Sequence, residues 1–190
     1  AAQLVAHICE VQRKIEKNGP FDSGFRVPHT TLHVGTIRGG TALNIVPNEC
    51  SFDFEIRHLP GHEIDLLIRD IEKFAIDNLE PKMHLKNPDA GIDFTELFGY
   101  PALFTAPNAP VVAFVRSLLD GEGKVEKISF GSEAGLFSGQ IGIPAVVCGP
   151  GSILQAHRPD EYVSLEQLRA CDSMLRRLIE SLKGKSVMAN

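Results

Sequence analysis

Between Cys50 and Arg57 the chain alternates without a break: Cys50, Phe52, Phe54 and Ile56 are apolar, and Ser51, Asp53, Glu55 and Arg57 fall between them. Successive side chains of a strand point to opposite faces, so this run is a strand with one packed face and one wet face. Such a strand needs a pairing neighbour and a layer to cover its apolar side. Thr30 to Ile37 supplies the neighbour, and Arg38-Gly39-Gly40 supplies glycines that adopt the positive φ of a reversal, which makes the pair antiparallel. Helices on either side supply the cover. Leu4, Ile8, Val11 and Ile15 recur at helical spacing and close at Asn18-Gly19-Pro20, and Ile64, Leu67, Ile68, Ile71, Phe74 and Ala75 trace a second amphipathic helix that breaks before Pro81. A short strand is expected near Met83 to Leu85, with a further apolar alternation from Ile92 to Leu97. The order helix, strand, strand, helix, strand is the split βαβ arrangement of a ferredoxin-like two-layer sandwich without its first strand, so the chain reads as a truncated piece.

Pro101, Pro107 and Pro110 cluster after this pattern and set an expected boundary between a first domain over residues 1–100 and a second over residues 101–190. In the second, Asn108 is the expected cap of a helix carrying Val111, Val112, Phe114, Val115, Leu118 and Leu119. Because these side chains lie on most sides, the helix is expected to be well buried. Val125 to Phe130 reads as a strand, Gly131 to Gly135 as a turn into a short helix, and Ile143 to Cys148 as the next strand. Ser164-Leu-Glu-Gln167 is a capping box that opens a last helix with Leu165, Leu168, Leu175, Leu178 and Leu182. Strands alternating with helices follow parallel α/β logic, so the expected class is α/β: an α+β unit and then a partial α/β domain in βαβα order.

Hydrophobic residues make up 43% and charged residues 23% of the 190, a globular balance. A formal net charge of -5 without a long basic run gives no footprint for nucleic acid or an anionic membrane surface, and no apolar run reaches spanning length. Cys9, Cys50, Cys148 and Cys171 are far apart in sequence and form no CxxC pair. They read as reduced packing residues of a cytoplasmic protein.

The chemistry concentrates in Pro144 to Val163. Ala145 to Cys148 form a short apolar run, Gly149-Pro150-Gly151 ends it, and Pro159 holds Arg158 extended, so His157 stands on a loop at the C-terminal end of an expected strand. That is where open α/β sheets carry their sites, and neutral imidazole is a common metal ligand. A surface or structurally bonded histidine is the other reading of the same pattern.

Three stretches together resemble the di-zinc amidohydrolase and metallopeptidase family that includes acetylornithine deacetylases, succinyl-diaminopimelate desuccinylases and aminoacylases. They are Gly35-Thr-Ile-Arg-Gly-Gly-Thr-Ala-Leu-Asn-Ile-Val-Pro47 with Arg57-His-Leu-Pro-Gly61, then Phe130-Gly-Ser-Glu-Ala-Gly-Leu-Phe137, then Cys148 to Tyr162. The third is most similar to the acetylornithine deacetylase branch. The resemblance implies a lid, or dimerisation, domain at residues 1–100, then the C-terminal segment of a metal-dependent catalytic domain. It implies a homodimer formed through the lid and a small N-acyl amino acid substrate, with no nucleic-acid or membrane partner. His157 is implied as a ligand to one of two Zn2+ or Co2+ ions, Asn44 and Arg57 as lid groups reaching the substrate carboxylate, and Gly131 and Ser132 as substrate-binding positions. Glu133 is implied to face a substrate ammonium, and reads equally well as an acidic residue stabilising the start of the following helix. In such enzymes the paired ions deprotonate a bridging water that attacks the amide.

The family's remaining machinery has no counterpart in this sequence: a His-x-Asp motif, a bridging Asp, a Glu-Glu pair, a further acidic ligand and a lid histidine. His7, His29, His33, His58, His62 and His84 lie in no such motif. One imidazole cannot hold a zinc that needs three or four protein ligands, so the general base and oxyanion histidine are expected upstream and the chain alone is expected to be inactive, with no tightly bound metal. A related deacylase or desuccinylase and a noncatalytic dimerisation or binding module are the alternatives.

Overall fold

The computed structural model describes residues 1–121, 123–156 and 158–183. The chain forms two compact units, the first made of residues 1–102 with 126–132 and the second of 103–125 with 133–190. The class is mixed α/β, with a two-stranded antiparallel sheet and several helices.

In the first unit, α1 (Ala2–Asn18) buries Leu4, Ile8, Val11 and Ile15, the stripe that its sequence period lays along one face. It stops at Gly19, whose φ of 80° suits a residue without Cβ and whose N–H donates to the Ile15 carbonyl. The strand β1 (Thr31–Gly39) pairs with β2 (Cys50–Arg57), and Phe52, Phe54 and Ile56 turn inward against the α1 stripe, as the alternation requires. Gln12 on α1 accepts a hydrogen bond from the Leu32 N–H at 2.6 Å, so the helix also satisfies one strand donor.

Gly35 is an extra residue in β1: Val34 stands opposite Phe54 and Thr36 opposite Asp53, with nothing across from Gly35. This bulge switches the parity of the strand. Before it the even residues Leu32 and Val34 face inward. After it Ile37 stands opposite inward-facing Phe52, while Thr36 shares the wet face with Asp53 and donates a hydrogen bond to its carboxylate. That bond, with Arg38 beyond it and burial opposing, holds the Asp53 carboxyl below its ordinary pKa.

The second helical stretch runs on past its expected end. Helix α2 (Ile64–Phe74) passes into a π-helical turn (Ala75–Leu79) and then α3 (Glu80–His84). Pro81 begins a segment here, where the sequence reading had a break. It sits in the first turn of α3, where the missing N–H costs no hydrogen bond, and the wide π turn before it absorbs the change of ladder. The strand expected at Met83 to Leu85 is thus the end of a helix, with the Lys86 and Asn87 N–H groups donating to the Met83 carbonyl. Residues 92–97 take no ladder partner among the described residues. Their alternation is nevertheless used, because Ile92 and Phe94 pack against the core and the Ile92 N–H donates to Glu80 Oε1 at 2.9 Å.

In the second unit, α4 (Pro110–Ser117) is capped by Ala109 without a side-chain bond, not by Asn108, and Pro110 takes the first helical position. It buries Val112, and Leu118 just after it, while Phe114 is half-exposed, so the helix is one-sided where an all-round apolar surface had been read as deep burial. Helix α5 (Ala134–Gly139) follows the expected turn, and α6 (Leu165–Lys183) starts at Ser164, whose Oγ accepts from the Gln167 N–H at 3.2 Å. The runs 125–130 and 143–148 have no ladder partner among the described residues, since an extended segment becomes a strand only when another backbone meets its N–H and C=O groups. Cys9, Cys50 and Cys148 are exposed and Cys171 is partly covered, which corrects their reading as packing residues; all are free thiols.

Candidate functional site

Arg57 closes β2 on the wet face, across from Thr31. Glu55 is two residues earlier on the same strand, hence on the same face, and receives the guanidinium through Nε at 2.9 Å and Nη2 at 3.4 Å. Nη1 donates to the Ser129 carbonyl at 3.5 Å. Both side chains are about half exposed, so solvent screens the pair and its contribution to stability is small. Its consequence is positional: the fork is held at the sheet end by Glu55 and the Ser129 carbonyl. Any carboxylate that Arg57 binds must share it with Glu55.

Ser129 belongs to residues 126–132, the segment that joins the first unit and carries Gly131 and Ser132. Two anchors hold this segment. Lys127 donates to Asp22 Oδ2 at 2.5 Å and lies 5.3 Å from the centre of the Phe25 ring. The Lys127 bond, followed by the Gly24 N–H, keeps the Asp22 carboxyl below its ordinary pKa. The second anchor is at Gly131, where a Cβ would stand 2.0 Å from the Tyr100 hydroxyl. Only glycine admits that approach. The fold thus brings Arg57 and the Ser129–Gly131 backbone together in one unit.

The other expected positions are separate. Asn44 occupies an exposed turn closed by the Ile45 N–H on the Ala42 carbonyl at 3.2 Å. Glu133 caps α5 through its carbonyl, which accepts from the Leu136 N–H at 2.9 Å, while its side chain makes no capping bond. His157 lies outside the described residues. Before it, Gly151 has a φ of 106° and donates its N–H to Gln167 Oε1 at 3.2 Å. The capping-box glutamine is therefore turned toward this loop, and only the Ser164 half of the box is made.

Among the described residues no three His, Cys, Asp or Glu side chains group so as to hold a metal ion. These described side chains do not fit the two-zinc centre that the family resemblance implies. Sequence reasoning missed Glu55, Tyr100 and Lys127. Glu55 was legible from the strand period, whereas Tyr100 and Lys127 meet their partners across the chain and left no local signal. It also passed over Thr30, fully buried, whose Oγ1 lies 2.6 Å from His62 Nδ1 and accepts from the Leu59 N–H at 3.1 Å. His62 borders a cavity of about 340 Å3 with Phe21, Asp22 and Leu59. Burial, then the charge of His58, lowers its pKa against the pull of Glu63.

No helix among the described residues is long and apolar enough to cross a membrane. Residues 1–83 match the peptidase dimerisation domain of the M20 family. The acetylornithine deacetylase of Myxococcus xanthus is 34% identical over 170 residues, which cover 86% of this chain and 41% of that protein. That of Aliivibrio fischeri is 32% identical over 160 residues, covering 82% of this chain and 39% of the relative. The chain spans about two fifths of the length of these curated relatives. With a peptidase dimerisation domain matched at its start and acetylornithine deacetylases aligned along most of its length, the chain is similar to members of the M20 family.

Proposed function

We propose that the chain is the lid domain, residues 1–100, and the C-terminal catalytic segment, residues 101–190, of a cytoplasmic, metal-dependent amidohydrolase that converts N-acetyl-L-ornithine to ornithine and acetate in arginine synthesis. The observation that carries the reading is the alignment with two deacetylases across more than four fifths of the chain. The bond from Arg57 to the Ser129 carbonyl, two residues before Gly131, supports it. A guanidinium forms paired, charge-assisted bonds with a carboxylate, and main-chain and hydroxyl groups beside it would orient the rest of an N-acyl amino acid. Asn44 and Ser132 complete the substrate-binding set in this proposal, Glu133 faces the substrate ammonium, and His157 is one ligand of the Zn2+ or Co2+ pair. The protein acts as a homodimer built through the dimerisation domain. The chain by itself lacks a complete active site.

Two variants of the whole enzyme separate these roles. Arg57→Ala should retain its metal and lose roughly 2–4 kcal/mol in kcat/KM, the loss of one or two charge-assisted bonds. His157→Ala should lose metal and turnover together. Full metal content with normal turnover in His157→Ala would overturn the assignment of the ligand. Hydrolysis of N-acetylornithine by this chain alone, or two tight zinc sites per chain in calorimetry, would overturn the division of the active site. A noncatalytic dimerisation module, the alternative favoured by the domain match at residues 1–83, requires that the whole protein turn over no N-acyl amino acid.

A further inference from the structure

In the second unit Cys148 meets α6 at sulfur. Its Sγ lies 3.5 Å from Met174 Sδ, and Cys171, one helical turn before Met174 and on the same face, lines the same cavity of about 180 Å3. Three sulfur-bearing side chains from two segments therefore border one cavity. Cys148 is exposed, so the cluster is open to an incoming ion. Three sulfurs bonded at about 2.3 Å to one ion lie about 4 Å apart, close to the separation already present between Cys148 and Met174. Two thiols and a thioether are a soft donor set, suited to a thiophilic d10 cation of low coordination number, whereas a structural zinc requires four ligands.

We propose that Cys148, Cys171 and Met174 form a three-sulfur binding site for a soft monovalent cation of the Cu(I) type. The site is independent of the amidohydrolase reading. Binding replaces two S–H protons: Cu(I) and two thiols give a dithiolate complex of net charge -1 and two released protons, with no change of oxidation state, and the thioether adds a neutral donor. Burial, then Cys171, raises the Cys148 thiol above its ordinary pKa, so its proton is released on binding. The filled site would tie the segment at Gly149–Gly151 to α6 more firmly than the Gly151–Gln167 bond does alone.

The test is anaerobic titration of the full chain with Cu(I) against a chromophoric Cu(I) chelator. One equivalent should bind, and affinity should rise about a hundredfold per pH unit below the thiol pKa values, the signature of two released protons; about tenfold or less would overturn the two-thiolate site. Cys148→Ser and Cys171→Ser should each weaken binding at least about a hundredfold and Met174→Leu about tenfold, whereas the double variant Cys9→Ser, Cys50→Ser should bind as the parent does. A parent-like affinity in either single cysteine variant would overturn the site. The unaltered chain gives an independent readout that no misfolded variant can confuse: one equivalent of Cu(I) should protect Cys148 and Cys171, but not Cys9 and Cys50, from alkylation read by mass spectrometry. Protection of neither, of only one, or of all four thiols alike would sink the proposal.

Discussion

Gly131→Ala puts one methyl group where the Tyr100 side chain already stands. Gly131 is not among the glycines with positive φ, so alanine meets no backbone penalty there and the cost is steric alone. The new Cβ would lie 2.0 Å from the Tyr100 hydroxyl, 3.0 Å from Cζ and 3.3 Å from Cε2, and the hydroxyl must retreat by about 1.4 Å to reach the 3.4 Å of ordinary contact. A swing of roughly 15° about the Cα–Cβ axis would achieve this, at on the order of 0.5–1 kcal/mol for leaving the rotamer. Lost contacts of a half-buried ring bring the total to about 1–3 kcal/mol, the usual range for overpacking. For a unit of this size each kcal/mol lowers the melting temperature by about 4–8 °C. Calorimetry, which separates the transitions of two units, should therefore show the first unit melting about 8–16 °C lower for a cost near 2 kcal/mol. Tyr100→Phe supplies the control. Without the hydroxyl the nearest ring atom is Cζ at 3.0 Å, which needs to give only a few tenths of an ångström, so alanine should cost less than about 1 kcal/mol in that background. A coupling energy of at least about 1 kcal/mol is expected from the cycle. Equal penalties in the two backgrounds would refute the argument, because Tyr100 would then not be what requires glycine at residue 131.

Other perturbations read the same unit from different sides. Thr30→Val keeps the shape of a fully buried side chain but removes the acceptor of the Leu59 N–H and the partner of His62 Nδ1, so urea unfolding should show a loss of about 1–3 kcal/mol; a change below about 0.5 kcal/mol would mean that these groups find water instead. Because the His62 pKa is lowered in the folded state, the unfolded chain binds more protons between that lowered value and about 6.5; stability should therefore rise with pH through this interval and fall as acid is added below about pH 6.5, and His62→Gln should flatten that slope in denaturation midpoints measured across it. Ile71→Ala empties a fully buried position in the helix that faces α1 and should cost about 2–5 kcal/mol, whereas Leu43→Ala, in the exposed turn beside Asn44, should stay within about 0.5 kcal/mol of the parent; similar effects of the two would contradict the location of the core.

What the sequence determined by itself is the set of features that repeat within one segment. The stripe of Leu4, Ile8, Val11 and Ile15 and the alternation from Cys50 to Arg57 each record a single burial surface sampled at the period of one backbone conformation, and both are used as read except at Cys50, which is exposed. Arg57 and Glu55 share a face for the same reason. Tertiary structure decided what depends on a partner distant in the chain. Gly35 reads as one more strand residue until the register against β2 makes it a bulge that sends Ile37 to the face left by Val34. Among the described residues Met83 to Leu85 has no strand to pair with and continues a helix that Pro81 only restarts, while Ile92 and Phe94 keep the inward side chains of a strand without its ladder and Leu97 is exposed. The meeting of Arg57 with the Ser129 carbonyl, of Gly131 with Tyr100, and of Cys148 with Met174 joins residues separated by tens of positions. No local period encodes such encounters, because they depend on how the segments come together, and the candidate functional groups lie among them.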